Sequence, residues 1–276
     1  MATAQPALPY GYSWHLDVVT EGRWEALITP DYRYVLPLPY VRTYRLIGRK
    51  RYFQPLLTQQ LGIFAQEDLT PAVQQAFLQA IPGDFHLSLH EASPLLSEGP
   101  WTSEPRTNYL LDLSPSHDLL LKGYAKALRK RIRQARPHHE LAEGRLSSGE
   151  LVAFYRQMLN HKVGLQPRHY RLVQQAIEAA LARQAGQIWS VHHASGELGA
   201  AGFFWQQRGR IVNAFGASSQ VGYQAHSMQV LLDSLIARSA GQAGWYFDFE
   251  GSSIPSIAQF FASFGSQERM FWQVSS

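Results

Sequence analysis

Residues 245–265, WYFDFEGSSIPSIAQFFASFG, constrain the fold more than any other stretch of the chain. Trp245, Phe247 and Phe249 alternate with Tyr246, Asp248 and Glu250, the two-residue period of a strand with one face against a core. Gly251 breaks the strand. Ser252 or Ser253 is then placed to cap a helix that opens near Pro255, a residue favoured in a first turn. Ile257, Phe260, Phe261 and Phe264 recur at helical spacing before Gly265 stops the helix. A strand running through a short turn into an amphipathic helix predicts an α/β fold. It also sets two carboxylates and a phenol at a strand end, beside a helix N-terminus that favours negative charge.

The chain has 276 residues, enough for one large domain or two smaller ones with cores of their own. Cysteine is absent, which excludes disulfides, thiolate metal sites and a cysteine nucleophile, and fits a reducing compartment. The first residues, MATAQPALPYGYSWHLD, lack a basic segment followed by an apolar core, and no apolar run approaches the roughly 20 residues of a bilayer span. The expectation is a soluble, cytoplasmic protein. A net charge of +4 says little about partners, but its distribution says more. Lys122, Lys126, Arg129, Lys130, Arg131, Arg133 and Arg136 follow one another with no acidic residue between them.

In the first half, strands are predicted over 24–28, 32–40 and 51–54, then a helix over 71–80, and strands over 85–89 and 108–113. Pro37 and Pro39 place the second strand at an edge or bulge. In the second half, Ser147 and Glu150 form a capping box ahead of Leu151, Phe154, Tyr155, Met158 and Leu159. Pro167 opens a further helix with Val173, Ile177, Ala180 and Leu181 on its apolar side. Strands over 187–193, 198–207 and 210–217 follow, joined by tight turns at Ser195-Gly196 and Arg208-Gly209. A long helix over 224–240, the strand–helix segment described first, and a strand over 269–274 complete the chain. Each half runs three strands, a helix and further strands, a weak sign of two related units.

LRKRIRQA, NHKVGLQPRHY and FDFEGSSIPSIAQFFASFG, in that order from Leu119 to Val274, resemble the Fem-type peptidyltransferases and the wider GNAT (acyl-CoA N-acyltransferase) fold class. YVLPLPYVR and QPLLTQQLGIF resemble a degraded first unit of such proteins. The resemblance implies tandem GNAT-like units, with mixed and mostly antiparallel sheets flanked by helices. A degraded unit would span 1–114, a basic connecting helix 115–137 and a complete unit 138–276. The implied reaction moves an acyl or aminoacyl group from a thioester or aminoacyl ester to an amine, on a small molecule or peptide. Acyl-CoA enzymes of this class carry a Q/R-x-x-G-x-G/A loop whose amides hold a pyrophosphate. SSQVGYQAHSMQ has Gly222 but not that pattern, and Fem-type enzymes, which use aminoacyl-tRNA, lack it too. The donor therefore stays open between acyl-CoA, slightly favoured, and aminoacyl-tRNA. A non-catalytic module of this fold that binds an anionic partner is the alternative.

The candidate site residues fall in three groups. Asp248 and Glu250, with Tyr223 and His226, are candidates for proton transfer. Asn213, Ala217, Ser218, Ser219 and Gln224 are candidates for holding the donor, with backbone donors near Ala217 to Ser219 for an oxyanion. Lys126, Arg129, Arg133, Lys162, Arg168 and Tyr170 are candidates for the acceptor or an anion such as tRNA. Each has a plainer reading: a strand-end carboxylate satisfying amides, a polar capping loop, a solvated basic face. His86 and His90 lie roughly 13 Å apart if the strand is straight. The pairs His138-His139 and His192-His193 point to opposite faces if extended, so no metal site is expected.

Overall fold

The structure is a computed structural model; it describes residues 8–43, 48–94, 99–252 and 254–276, apart from the side chains of residues 160–162. Contacts divide the chain into two compact units, Met1–Asn108 with Arg269–Ser276, and Tyr109–Glu268.

The first unit begins with α1 (Ser13–Val19), β1 (Trp24–Ile28), β2 (Tyr34–Arg42), β3 (Lys50–Phe53), β4 (Phe64–Ala65), α2 (Pro71–Gln79) and β5 (Phe85–Ser88). The chain leaves this unit along β6 (Thr102–Asp112), whose residues from Tyr109 onward belong to the second. In the second unit come α3 (His117–Gly123), α4 (Lys126–Ala135), β7 (His139–Glu143), α5 (Ser148–Val163) and α6 (Pro167–Leu181). β8 (Gly186–His193), β9 (Leu198–Gln207), β10 (Arg210–Ser218), α7 (Gln220–Gln224), α8 (Ser227–Ser239), β11 (Tyr246–Asp248) and α9 (Pro255–Ala262) follow. The chain returns along β12 (Gln267–Ser275).

The strands of the two units repeat one plan. In the first unit β1, β2 and β3 are antiparallel neighbours, β3 lies parallel to β5 after the chain has passed through α2, and β12 pairs antiparallel with β5. In the second, β8, β9 and β10 are antiparallel, β10 lies parallel to β11 after α8, and β6 pairs antiparallel with β11. β7 extends this second sheet beyond β8. A parallel pair needs a crossover, and in each unit a helix supplies it.

Apolar periodicity decides what lies under each helix. Leu36, Leu38, Tyr52, Phe77, Leu78, Leu87 and Val274 form the core of the first unit. In the second, Leu128 and Ile132 of α4 and Leu231, Leu232, Leu235 and Ile236 of α8 cover Val191, Phe204, Ile211, Phe247 and Phe249 on one sheet face. Tyr155 of α5 stacks on Phe215 of β10, ring centroids 3.9 Å apart.

Three helices differ from their predicted extents. The basic stretch over 115–137 is two helices, because Tyr124 and Ala125 take extended backbone between α3 and α4. The helix predicted over 224–240 begins instead at Ser227: His226 has φ +61° and separates it from α7, which ends at Gln224. α9 is preceded by Ile254 with no side-chain cap; Ser252 Oγ instead accepts from the Ile254 amide at 3.0 Å in a local turn, and Ser253 lies outside the described residues. Ile257, placed on the apolar face by spacing, is 38% exposed, while Phe261 and Phe264 enter the core. The capping box at Ser147 and Glu150 is present in both directions, and the Arg208-Gly209 turn has φ of +50° and +81°, the left-handed pair that a two-residue hairpin needs.

Candidate active site

The parallel pairing of β10 with β11 ends early. Arg210, Ile211 and Val212 face Tyr246, Phe247 and Asp248, and among the described residues the ladder goes no further. β10 continues to Ser218, whereas the other chain turns away: the Phe249 amide donates to the Tyr109 carbonyl at 3.0 Å, and Glu250 has φ +58°. A bulge at Ala214 bends β10 where the strands part, since Asn213 faces Phe204 but Phe215 faces Phe203. It also resets the alternation. Phe215 reaches Tyr155 of α5, and a side chain at Gly216 would approach Met228 of α8. The second half of β10 thus has one edge paired with β9 and the other without a strand partner among the described residues. Main-chain donors and acceptors on such an edge are free to meet an extended ligand or an oxyanion.

Asp248 and Glu250 separate at this point. Asp248 is fully buried; its Oδ2 accepts from Arg210 Nε at 2.8 Å and its Oδ1 from the Glu250 amide at 2.8 Å. Both oxygens are committed to holding the strand end. Glu250, next to the buried Phe249 and itself half-buried, is the carboxylate at the parting of the strands.

Asn213, Ser218 and Ser219 are half-buried along or just beyond β10, and Ala217 is buried. Ser219 caps α7 through its Oγ, which accepts from the Gly222 amide at 3.0 Å, and its own amide donates to the Gly199 carbonyl at 2.9 Å. Gly222 is required here: a Cβ would lie 1.8 Å from the Gly199 carbonyl oxygen. α7 therefore sits flush on the start of β9. Tyr223 and Gln224 project from it into solvent, Tyr223 being 75% exposed. The amides of Gly222, Tyr223, Ala225 and His226 all bond within this turn of helix.

A group of histidines, missed in the sequence, surrounds the start of α8. β7 pairs with β8 so that His139 lies opposite His193, their ring centroids 4.6 Å apart. His139 Nδ1 donates to the Ala135 carbonyl at 2.7 Å, which leaves Nε2 to accept from the buried Ser227 hydroxyl at 2.9 Å. Burial lowers the His139 pKa, and His193, His138 and His226 lower it further. His226 is itself lowered, by burial and then by Arg131. Cross-strand register supplied this group; no spacing within the sequence predicts it. Among the described residues no group of His, Asp or Glu is placed to hold a metal ion.

The basic candidates divide. Lys126, Arg129 and Arg133 of α4, with Lys130 and Arg131, are exposed and form no ion pair among the described residues. Arg136 instead turns inward to Asp233 of α8, a buried carboxylate that also accepts from His117 Nε2 at 2.8 Å. Burial, then Asp233, raises the Tyr124 phenol. This buried carboxylate fixes α3 and the end of α4 to α8. Arg168 is exposed at the start of α6, whereas Tyr170 is buried with Arg156 over its ring. The Lys162 side chain lies outside the described residues.

No protein-family model matches the chain, and no curated protein matches its sequence. Solved structures do match its fold. FemX superposes with a TM-score of 0.67 at 10% identity, over 96% of this chain and 93% of that one. The C-terminal domain of a putative lysylphosphatidylglycerol synthetase from Agrobacterium fabrum gives 0.60 at 12% identity, over 95% and 87%. L-PGS from Bacillus licheniformis gives 0.54 at 13% identity, over 95% and 86%. The chain has a GNAT-like fold of Fem-type resemblance, as the sequence motifs predict. No helix among the described residues is long and apolar enough to cross a membrane.

Proposed function

We propose that the second unit transfers an aminoacyl group from an activated ester to an amine. The observation that carries this reading is the early parting of β10 from β11, bulged at Ala214, which leaves a free main-chain edge beside Glu250. The fold likeness to FemX and to a lysylphosphatidylglycerol synthetase domain, whose name specifies a lysyl product, supports the same class of reaction.

α7 bears on the donor. A thioester of coenzyme A needs amides for its pyrophosphate in the turn before the long helix. Here the amides of Gly222, Tyr223, Ala225 and His226 are consumed within α7. The exposed cations of α4 suit a polyanion such as the acceptor stem of a charged tRNA. The α4 cations favour the aminoacyl ester over acyl-CoA, against the preference drawn from the sequence.

In the proposed reaction an amine nitrogen attacks the ester carbonyl carbon. The new C–N bond forms as the carbonyl oxygen takes negative charge, stabilised by main-chain N–H on the free edge of β10, where the Ser218 amide faces away from β9. Glu250 accepts a proton from the attacking nitrogen and returns it to the ribose oxygen as the ester C–O bond breaks. Asp248 acts through position alone, since Arg210 and the Glu250 amide hold its carboxylate. Glu250→Gln tests the assignment: transfer falls by about a hundredfold or more while affinity for RNA is unchanged. Undiminished transfer removes Glu250 from the mechanism, and a wild-type protein that binds RNA without any transfer is the binding module instead.

A further inference from the structure

The first unit carries an open cleft of about 440 Å³, with Glu25, Arg49, Lys50 and Asp84 among its lining residues beside Tyr52, Pro82 and Gly83. It lies where β3 and β5 begin their parallel pairing, at Tyr52 and Phe85. The volume is within the range of small-molecule sites.

Its charges fall into two sets. Glu25 is engaged by Lys50 Nζ on one oxygen and by the Tyr52 hydroxyl on the other. Lys50 Nζ also sits 4.5 Å from the centroid of the Tyr40 ring. Burial works to raise the Glu25 carboxyl, yet Lys50 and Tyr52 hold it below its ordinary value. This set is neutral overall and fixed in place. The Asp84 carbonyl accepts the Tyr52 amide at 2.8 Å, and a Cβ on Gly83 would come within 2.9 Å of the Lys50 carbonyl oxygen. The 82–84 turn is thereby held flat against β3.

Arg49 and Asp84 form the second set. Both are exposed, both line the cleft, and neither makes an ion pair or a side-chain hydrogen bond among the described residues. A simple anion in the cleft would face Asp84 uncompensated, and a simple cation would face Arg49. A ligand carrying both charges meets neither penalty. We infer that this cleft binds a free α-amino acid, its carboxylate on the Arg49 guanidinium and its ammonium on the Asp84 carboxylate, over a floor made by Glu25, Lys50 and Tyr52.

The test is calorimetric titration of the full chain with each standard α-amino acid in turn, with no donor present. It is repeated with the N-acetylated and the C-amidated forms of any binder. At least one amino acid is expected to bind saturably at one site, and both modified forms to bind at least about tenfold more weakly. Arg49→Gln and Asp84→Asn, both at exposed positions, are expected to weaken binding to the same degree with the far-ultraviolet circular dichroism unchanged. Absence of saturable binding by every amino acid, or binding that survives both substitutions, overturns the inference. Either result leaves the transfer reading standing, because that reaction is measured separately and in the other unit.

Discussion

Arg210 Nε donates to Asp248 Oδ2 at 2.8 Å, and the two side chains are 10% and 0% exposed. The pair joins the first residue of β10 to the last of β11, so it spans the paired length up to the point where the two strands part. A buried ion pair adds little net stability, but losing one partner leaves an uncompensated charge in the interior. Asp248→Asn is therefore expected to cost about 3–5 kcal/mol in urea unfolding. The double variant Arg210→Met, Asp248→Leu should be much closer to wild type. Additive losses in the double variant would show that the two groups do not act as a pair.

His15 gives the fold an acid-sensitive point. Its ring is fully buried, with Nε2 3.0 Å from Thr58 Oγ1, and burial lowers its pKa from 6.5 to about 4. The unfolded chain then takes up a proton that the folded chain refuses. Stability from this group is complete above about pH 6.5 and is lost as the pH falls toward 4. The loss is on the order of 3 kcal/mol. Burial shifts His139 and His226 in the same direction, adding to the slope. Urea midpoints from neutral pH to about pH 4 should fall in the wild type and flatten in His15→Gln. Equal slopes would exclude His15 as the source.

Two substitutions on α7 should behave oppositely. Gly222→Ala forces a Cβ to within 1.8 Å of the Gly199 carbonyl, so α7 must move, at a cost of about 1–3 kcal/mol or more. Tyr223→Ala removes a side chain that is 75% exposed and should change stability by no more than about 0.5 kcal/mol. Thermal melts of the two variants decide it; a neutral Gly222→Ala would mean that α7 does not pack on β9 as described.

Much of the fold is legible in the sequence because strand alternation and hairpin turns are local signals. The segment over 245–265 gives the strand–helix order correctly, since Phe247, Phe249, Phe261 and Phe264 pack into one core. The breaks at Ala125 and His226 are not legible. Both flanks of each break have good helical spacing, and only tertiary packing fixes a non-glycine residue at φ +61°. The site was readable in part. Asp248 and Glu250 stand out by type, but only the structure supplies Arg210, thirty-eight residues away, as the group that occupies one of them. His139 and His193 meet across β7 and β8 with Ser227 of α8 against His139, and Asp233 of α8 meets His117 of α3 and Arg136 just past α4. Such pairs have no fixed spacing along the chain.

The exposed face of α4 should bind RNA through phosphate contacts. Arg129→Gln and Arg133→Gln are each expected to reduce the slope of log affinity against log salt by roughly 0.7–0.9, and to weaken binding without altering sequence preference. Fluorescence anisotropy with a labelled acceptor-stem hairpin, over a series of salt concentrations, provides the measurement. An unchanged slope in both variants would place the RNA elsewhere.

The central claim is aminoacyl transfer from an ester donor, and one experiment meets it directly. Purified protein is given bulk tRNA charged with labelled amino acids, or labelled acyl-CoA, together with primary-amine acceptors. The account predicts that label passes from tRNA to the amine in the wild type, that Glu250→Gln slows this by about a hundredfold or more, and that acyl-CoA is inert. Acylation of the amine from acyl-CoA with charged tRNA inert, or no transfer from either donor, would contradict it.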